Sequence, residues 1–67
     1  MIQVNKITRD DLRAMRDGET RTFQLPSPEA VESGKTSAYT YGKIAGVRFK
    51  CEASYANKTL TITRHDN

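Results

Sequence analysis

The spacing of apolar residues changes along the chain, and each change marks a new element. Behind Ile7, Leu12 and Met15 stand three positions apart, which predicts a short first helix facing inward with those two residues. Thr8 is placed to cap it by accepting from an unpaired N–H of the first turn. Asp11, three residues on, stands in for the Glu of a capping box, and Ile7 and Leu12 occupy the two positions of a hydrophobic staple. Asp10 and Asp11 complement the positive helix end, Arg16 lies near the negative end, and Gly18 stops the helix. From Glu19 to Leu25 the period falls to two. Phe23 and Leu25 take one face and Thr20, Thr22 and Gln24 the other, as in a half-buried strand ended by Pro26.

Ser27 and Pro28 read as the cap and first residue of a second helical segment, and Gly46 as its stop. On a helical wheel Val31, Gly34, Ala38, Tyr41, Ile44 and Ala45 share one face, with Lys35, Thr36, Tyr39, Thr40 and Lys43 opposite. The segment runs either as one helix to about Ala45 or breaks at Ser33-Gly34 into a short helix and a longer one. Beyond it Val47, Phe49, Cys51, Ala53 and Tyr55 alternate with Arg48, Lys50, Glu52 and Ser54, and then Leu60 and Ile62 with Thr59, Thr61 and Thr63. A loop of two or four residues around Ala56-Asn57 keeps both apolar sets on one face, which predicts a hairpin. Residues 1–6 form a lead-in in which Ile2 and Val4 are candidates for a brief edge strand, and His65-Asp66-Asn67 is expected to fray.

The expected fold is therefore a single α+β domain over residues 1–67 with element order α, β, α, β, β. A three-stranded antiparallel sheet carries two helices, or three if the second splits, on one face and leaves a Thr/Arg/Lys face open to water. A chain of 67 residues buries only a small core, which argues against a deep catalytic pocket. Nor do any paired carboxylates or a Ser/His/Asp arrangement suggest catalysis, so the expectation is a non-enzymatic protein with no cofactor, no metal and no catalytic residues.

Charge and cysteine content narrow the partners. Eleven Lys and Arg against eight Asp and Glu give a net charge of +3, which favours acidic partners, nucleic acid above all. Cys51 is the only cysteine, so neither a disulfide nor a thiolate metal cluster can form within one chain. A reducing compartment fits, and no signal peptide or long apolar run appears, so the expected setting is cytoplasmic with no membrane partner. Asn57-Lys58-Thr59 matches the glycosylation sequon but has no export signal to give it meaning.

Ser33-Gly34-Lys35-Thr36-Ser37 contains the end of a phosphate-binding loop, but the position for the first glycine is Glu29 and no buried strand leads into it. Cys51 reads as an inward-facing small hydrophobe. The same segment, extended to Ala38-Tyr39, resembles the start of recognition helices in helix-turn-helix regulators. With a break at Ser33-Gly34 the order becomes helix, strand, helix, turn, helix, strand, wing, strand, which resembles winged-helix DNA-binding domains, including the excisionase-like proteins of phages and mobile elements. That resemblance covers residues 8–64 in element order and about seven residues in actual pattern. It implies a small accessory or regulatory protein of double-stranded DNA. Lys35, Thr36, Tyr39 and Lys43 would face the groove, and Arg48, Lys50 and Lys58 on the hairpin would touch the flanking backbone. The chain also resembles small proteins of Bacteroides-type bacteria and their phages, a likeness that implies no function.

Two further readings rest on the residues alone. The open sheet face would present Thr20, Thr22, Arg48, Lys50, Thr61 and Thr63 together, as arm-binding domains of integrases do when a sheet enters a major groove. Alternatively the domain is a homodimer or protein-interaction module, with an open sheet or strand edge as its surface and mixed charges at Glu19, Arg21, Glu52 and Arg64.

Overall fold

The computed structural model describes residues 2–66. Its elements are β1 (Ile2–Gln3), α1 (Arg9–Arg13), β2 (Thr20–Gln24), α2 (Pro28–Ala45), β3 (Arg48–Ser54) and β4 (Thr59–His65). The strands form one sheet in the order β1-β2-β4-β3. The contiguous hairpin of β3 and β4 pairs antiparallel from Arg48 opposite His65 to Ser54 opposite Thr59, with a four-residue loop, and β2 joins the other side of β4. β2 and β3 therefore run parallel with β4 inserted between them, and α2 crosses from one to the other.

The expected three antiparallel strands are present, but the sheet is four-stranded and mixed. β1 pairs parallel with β2, placing Ile2 beside Phe23 and Gln3 beside Gln24, so the order begins with a strand. The hairpin end also differs from expectation. His65 belongs to β4, and the Asp66 N–H donates to Asp17 at 2.9 Å, which ties the tail down; Asn67 lies outside the described residues. Tyr55, expected at the end of a strand, opens the loop, and its hydroxyl donates to Glu32 of α2.

Local chemistry explains the helix ends. The Thr8 N–H donates to Asp11 Oδ2 at 2.9 Å and the Asp11 N–H to Thr8 Oγ1 at 3.3 Å, so the capping box closes in both directions. Replacing Thr8 by alanine should cost about 1 kcal/mol, read as a shift in the urea midpoint with no change in slope. The helix is shorter than its pattern suggests, ending before Met15, which nonetheless stays buried. Guanidinium groups bind the carbonyls just past its end: Arg64 Nη1 donates to Met15 at 2.6 Å and Arg21 Nη2 to Ala14 at 3.5 Å.

Helix α2 is one unbroken helix. Ser27 Oγ accepts from the Ala30 N–H at 3.2 Å, Pro28 sits in the first turn, and Gly46 ends the helix at φ +74°, a conformation that suits a residue without Cβ. Ser33-Gly34 lies inside it, so the split second helix, and with it the winged-helix arrangement, is not present. The reason is packing. Gly34 is buried where Ile7 and Leu60 come close, so the glycine serves a close approach within a helix instead of ending one.

Both helices cover the same face of the sheet. Ile7, Leu12, Met15, Phe23, Leu25, Val31, Ala38, Phe49, Leu60 and Ile62 form the core between the layers. Tyr41 closes one end of it, its ring 6.0 Å from that of Phe49. The face of α2 that meets the sheet is Val31, Gly34, Ala38 and Gly42, while Ile44, expected inward, is 66 % exposed. The domain is thus a small α+β unit with two helices on a four-stranded mixed sheet.

Candidate nucleic-acid interface

Alternation along β2, β3 and β4 sends every apolar residue to the helix side and leaves a wholly polar outer face. Its cross-strand rows are Arg48 with His65; Lys50, Thr63 and Thr20; Glu52, Thr61 and Thr22; and Ser54, Thr59 and Gln24. Gln3 of β1 extends the last row. The threonines bond to one another: Thr20 Oγ1 lies 2.9 Å from Thr63 Oγ1, and Thr22 Oγ1 3.1 Å from Thr61 Oγ1. Each hydroxyl has one donor and two acceptor sites, so such a pair keeps capacity for an outside partner while fixing its rotamers. At the edge, Gln24 Nε2 donates to the carbonyls of Asn57 and Lys58 at 3.0 and 3.1 Å, which joins the hairpin loop to β2.

Of the residues named for a recognition helix, Lys35, Tyr39 and Lys43 share one flank of α2 and Thr36 lies apart from them. Lys35 and Tyr39 lie on the flank of α2 nearest β3, beside Cys51. Burial pushes the Cys51 thiol up, and the Tyr39 hydroxyl and the Lys35 ammonium only partly offset this. The thiol is thus held protonated and poorly nucleophilic. Tyr39 and Lys43 line a shallow groove with Gly42, Val47, Arg48 and Phe49. Thr36 points away from them, into a depression shared with Lys6, Thr8, Arg9 and Thr40 between the two helices. Lys58 sits in the hairpin loop at φ +58°, where its carbonyl accepts from the Leu25 N–H at 2.8 Å.

A recognition helix reads the groove with its first turns. In α2 those turns are Pro28 to Glu32, carrying Glu29 and Glu32, and Lys35 lies beyond them. On the sheet, Arg48 and Lys50 share the outer face with the threonines. That set was named from the alternation. Gln24, Thr59 and His65 complete it, and His65 was missed because a terminal histidine gives no local strand signal.

The ion pairs among the described residues all lie close to α1. Around α1, Arg13 pairs with Asp10 at 3.6 Å, Arg21 with Glu19, and Arg64 with Asp66 at 2.8 Å. The Arg16 N–H and then Arg21 hold the Glu19 carboxyl below its ordinary range. Of the mixed charges first read as suited to a protein partner, Glu19, Arg21 and Arg64 are thus engaged within the domain. Lys35, Lys43, Arg48, Lys50 and Lys58 make no ion pair among the described residues, and nor do Lys6, Arg9 and Arg16 around α1.

No protein-family model, curated protein or solved structure matches the chain. Among the described residues no helix is long and apolar enough to cross a membrane.

Proposed function

We propose that this domain is a non-enzymatic accessory protein that binds duplex DNA through the open face of its sheet. The observation carrying this reading is a run of unpaired cations along one side of the domain: Lys35, Lys43, Arg48, Lys50 and Lys58 on α2, β3 and the hairpin loop make no ion pair among the described residues, whereas Arg13, Arg21 and Arg64 around α1 are paired. Arg48 and Lys50 stand on the sheet face itself, with Lys58 at its hairpin end and Lys35 and Lys43 along the β3 border. Cations so placed neutralise phosphates and release counterions, which supplies most of the affinity and makes it depend on salt. A strand ribbon fits the width of a major groove, where threonine hydroxyls meet phosphate or base edges and the Gln24 side-chain oxygen offers an acceptor.

Fluorescence anisotropy of a labelled random duplex tests the reading. Binding should be evident at low salt and weaken steeply as salt rises. Reversing Arg48 and Lys50 together to Glu should lower affinity roughly tenfold or more, since two phosphate neutralisations become repulsions. Reversing Lys35 and Lys43 should cost less, because they border the face without standing on it. Absence of binding at low salt overturns the proposal, and a greater loss from the α2 pair than from the β3 pair moves the interface to the helix.

A further inference from the structure

The strand β3 is an edge of the sheet, seven residues long and without proline, whereas the opposite edge, β1, has two residues. Natural edges are usually short, bulged or covered, because a row of free N–H and C=O groups templates another strand. The side chains of β3 specify which strand fits. Set antiparallel against a second β3, the sequence Arg48-Phe49-Lys50-Cys51-Glu52-Ala53-Ser54 has one register in which opposite charges meet and none clash.

With the two-fold axis through Cys51, Lys50 faces the partner's Glu52 and Glu52 faces the partner's Lys50. Phe49 meets the partner's Ala53, a large residue against a small one, and Arg48 meets the partner's Ser54. Neighbouring registers are worse. An axis through Phe49 sets Arg48 against the partner's Lys50, one through Lys50 stacks two lysines, and one through Glu52 stacks two glutamates. Like charges directly opposite destabilise a strand pair, and unlike charges support it.

The helix layer obeys the same axis. Along β3, α2 places Glu32 at the hairpin end, where it holds Tyr55, then Lys35 and Tyr39 beside Cys51, and Lys43 beside Arg48. An axis through Cys51 exchanges the two ends of this flank. Glu32 is carried toward the partner's Lys43, and Lys35 toward the ring of the partner's Tyr39, a cation–π arrangement. We infer that β3 pairs antiparallel with β3 of a second copy, centred on Cys51, to give a two-fold dimer with one continuous sheet and both helix layers on the same side. This inference does not depend on nucleic-acid binding.

Sedimentation equilibrium without nucleic acid, under reducing conditions and across the micromolar range, tests it with four proteins: wild type, Lys50→Glu, Glu52→Lys and the double swap. Lys50 and Glu52 are exposed on the polar face, and circular dichroism melts confirm that each variant folds. Wild type should dimerise. Each single reversal converts two attractions into two repulsions and should weaken the dimer roughly tenfold. The swap should restore it, since the two exchanged side chains again meet their partners with opposite signs. A wild type that stays monomeric across that range overturns the inference and leaves the edge to a strand of another protein. Single reversals without effect, or a swap that fails to rescue, overturn it equally.

Discussion

Replacing Phe23 by alanine should cost about 3–5 kcal/mol, the largest loss expected from any single truncation in this chain. Phe23 is 1 % exposed and the largest of the fully buried side chains. It lies opposite Leu60 of β4 and beside Ile2 of β1, so its ring fills the sheet side of the core where three strands meet. Native stability typically amounts to about 0.05–0.15 kcal/mol per residue, or about 3–10 kcal/mol for a chain of this length. The truncation is therefore comparable with the whole of that stability. Urea titration followed by circular dichroism should show the alanine variant largely unfolded or with its midpoint near zero denaturant. Phe23→Leu should keep the fold, because a smaller hydrophobe of similar reach costs less than about 1.5 kcal/mol when the site repacks. An alanine variant that loses less than the leucine variant would place the centre of the core elsewhere.

The features that could be read from the sequence were those decided locally. Thr8 with Asp11, Ser27 with Pro28, and Gly46 are caps whose chemistry acts over three or four residues, and each stands where its pattern put it. Alternation from Val47 onward set the hairpin, because a slip of one residue would turn Phe49, Leu60 and Ile62 to water. The features missed depend on partners distant in sequence. The brief edge strand suggested at Ile2 and Val4 is present as Ile2–Gln3, but its place in the sheet comes from parallel pairing with β2, some twenty positions away.

Gly34 was read as a possible break because sequence reasoning treats an interior glycine as a cost to a helix. The approach of Ile7 and Leu60 gives it a packing role instead. The wheel likewise ranked residues by apolarity, which favoured Ile44. The sheet selected by size: Gly34, Ala38 and Gly42 let the helix backbone settle close to the strands and leave Ile44 outside. The candidate interface divides in the same way. Alternation alone put Arg48, Lys50 and the threonines on one face, whereas the groove-facing helix required a break that tertiary packing removes.

The two buried glycines of α2 should respond differently to the same substitution. Alanine is the better helix former by about 1 kcal/mol, so in an open helix both changes would stabilise. A Cβ on Gly42, however, would lie 2.8 Å from the Val47 carbonyl oxygen and 3.2 Å from Phe49 Cδ2. That carbonyl belongs to the turn that follows the helix, where the N–H groups of Gly46 and Val47 both donate to the Gly42 carbonyl at 2.9 and 3.0 Å. Relief therefore requires the helix end, the turn and the start of β3 to move together, and Gly42→Ala should destabilise by about 1–3 kcal/mol despite the gain in propensity. A Cβ on Gly34 would lie 2.7 Å from Ile7 Cδ1, the far end of a side chain that can turn, and 3.2 Å from Leu60 Cδ2. Gly34→Ala should therefore fall within about 1 kcal/mol of wild type, propensity and crowding nearly cancelling. Parallel thermal and urea melts of the two variants decide the matter. A Gly42→Ala protein as stable as Gly34→Ala would mean that the turn at Gly46-Val47 yields freely and that α2 is not held to β3 by this contact. A Gly42→Ala protein clearly the weaker of the two would instead fix the register of α2 on β3, and with it the placing of Lys35, Tyr39 and Lys43 along the strand edge on which the dimer inference depends.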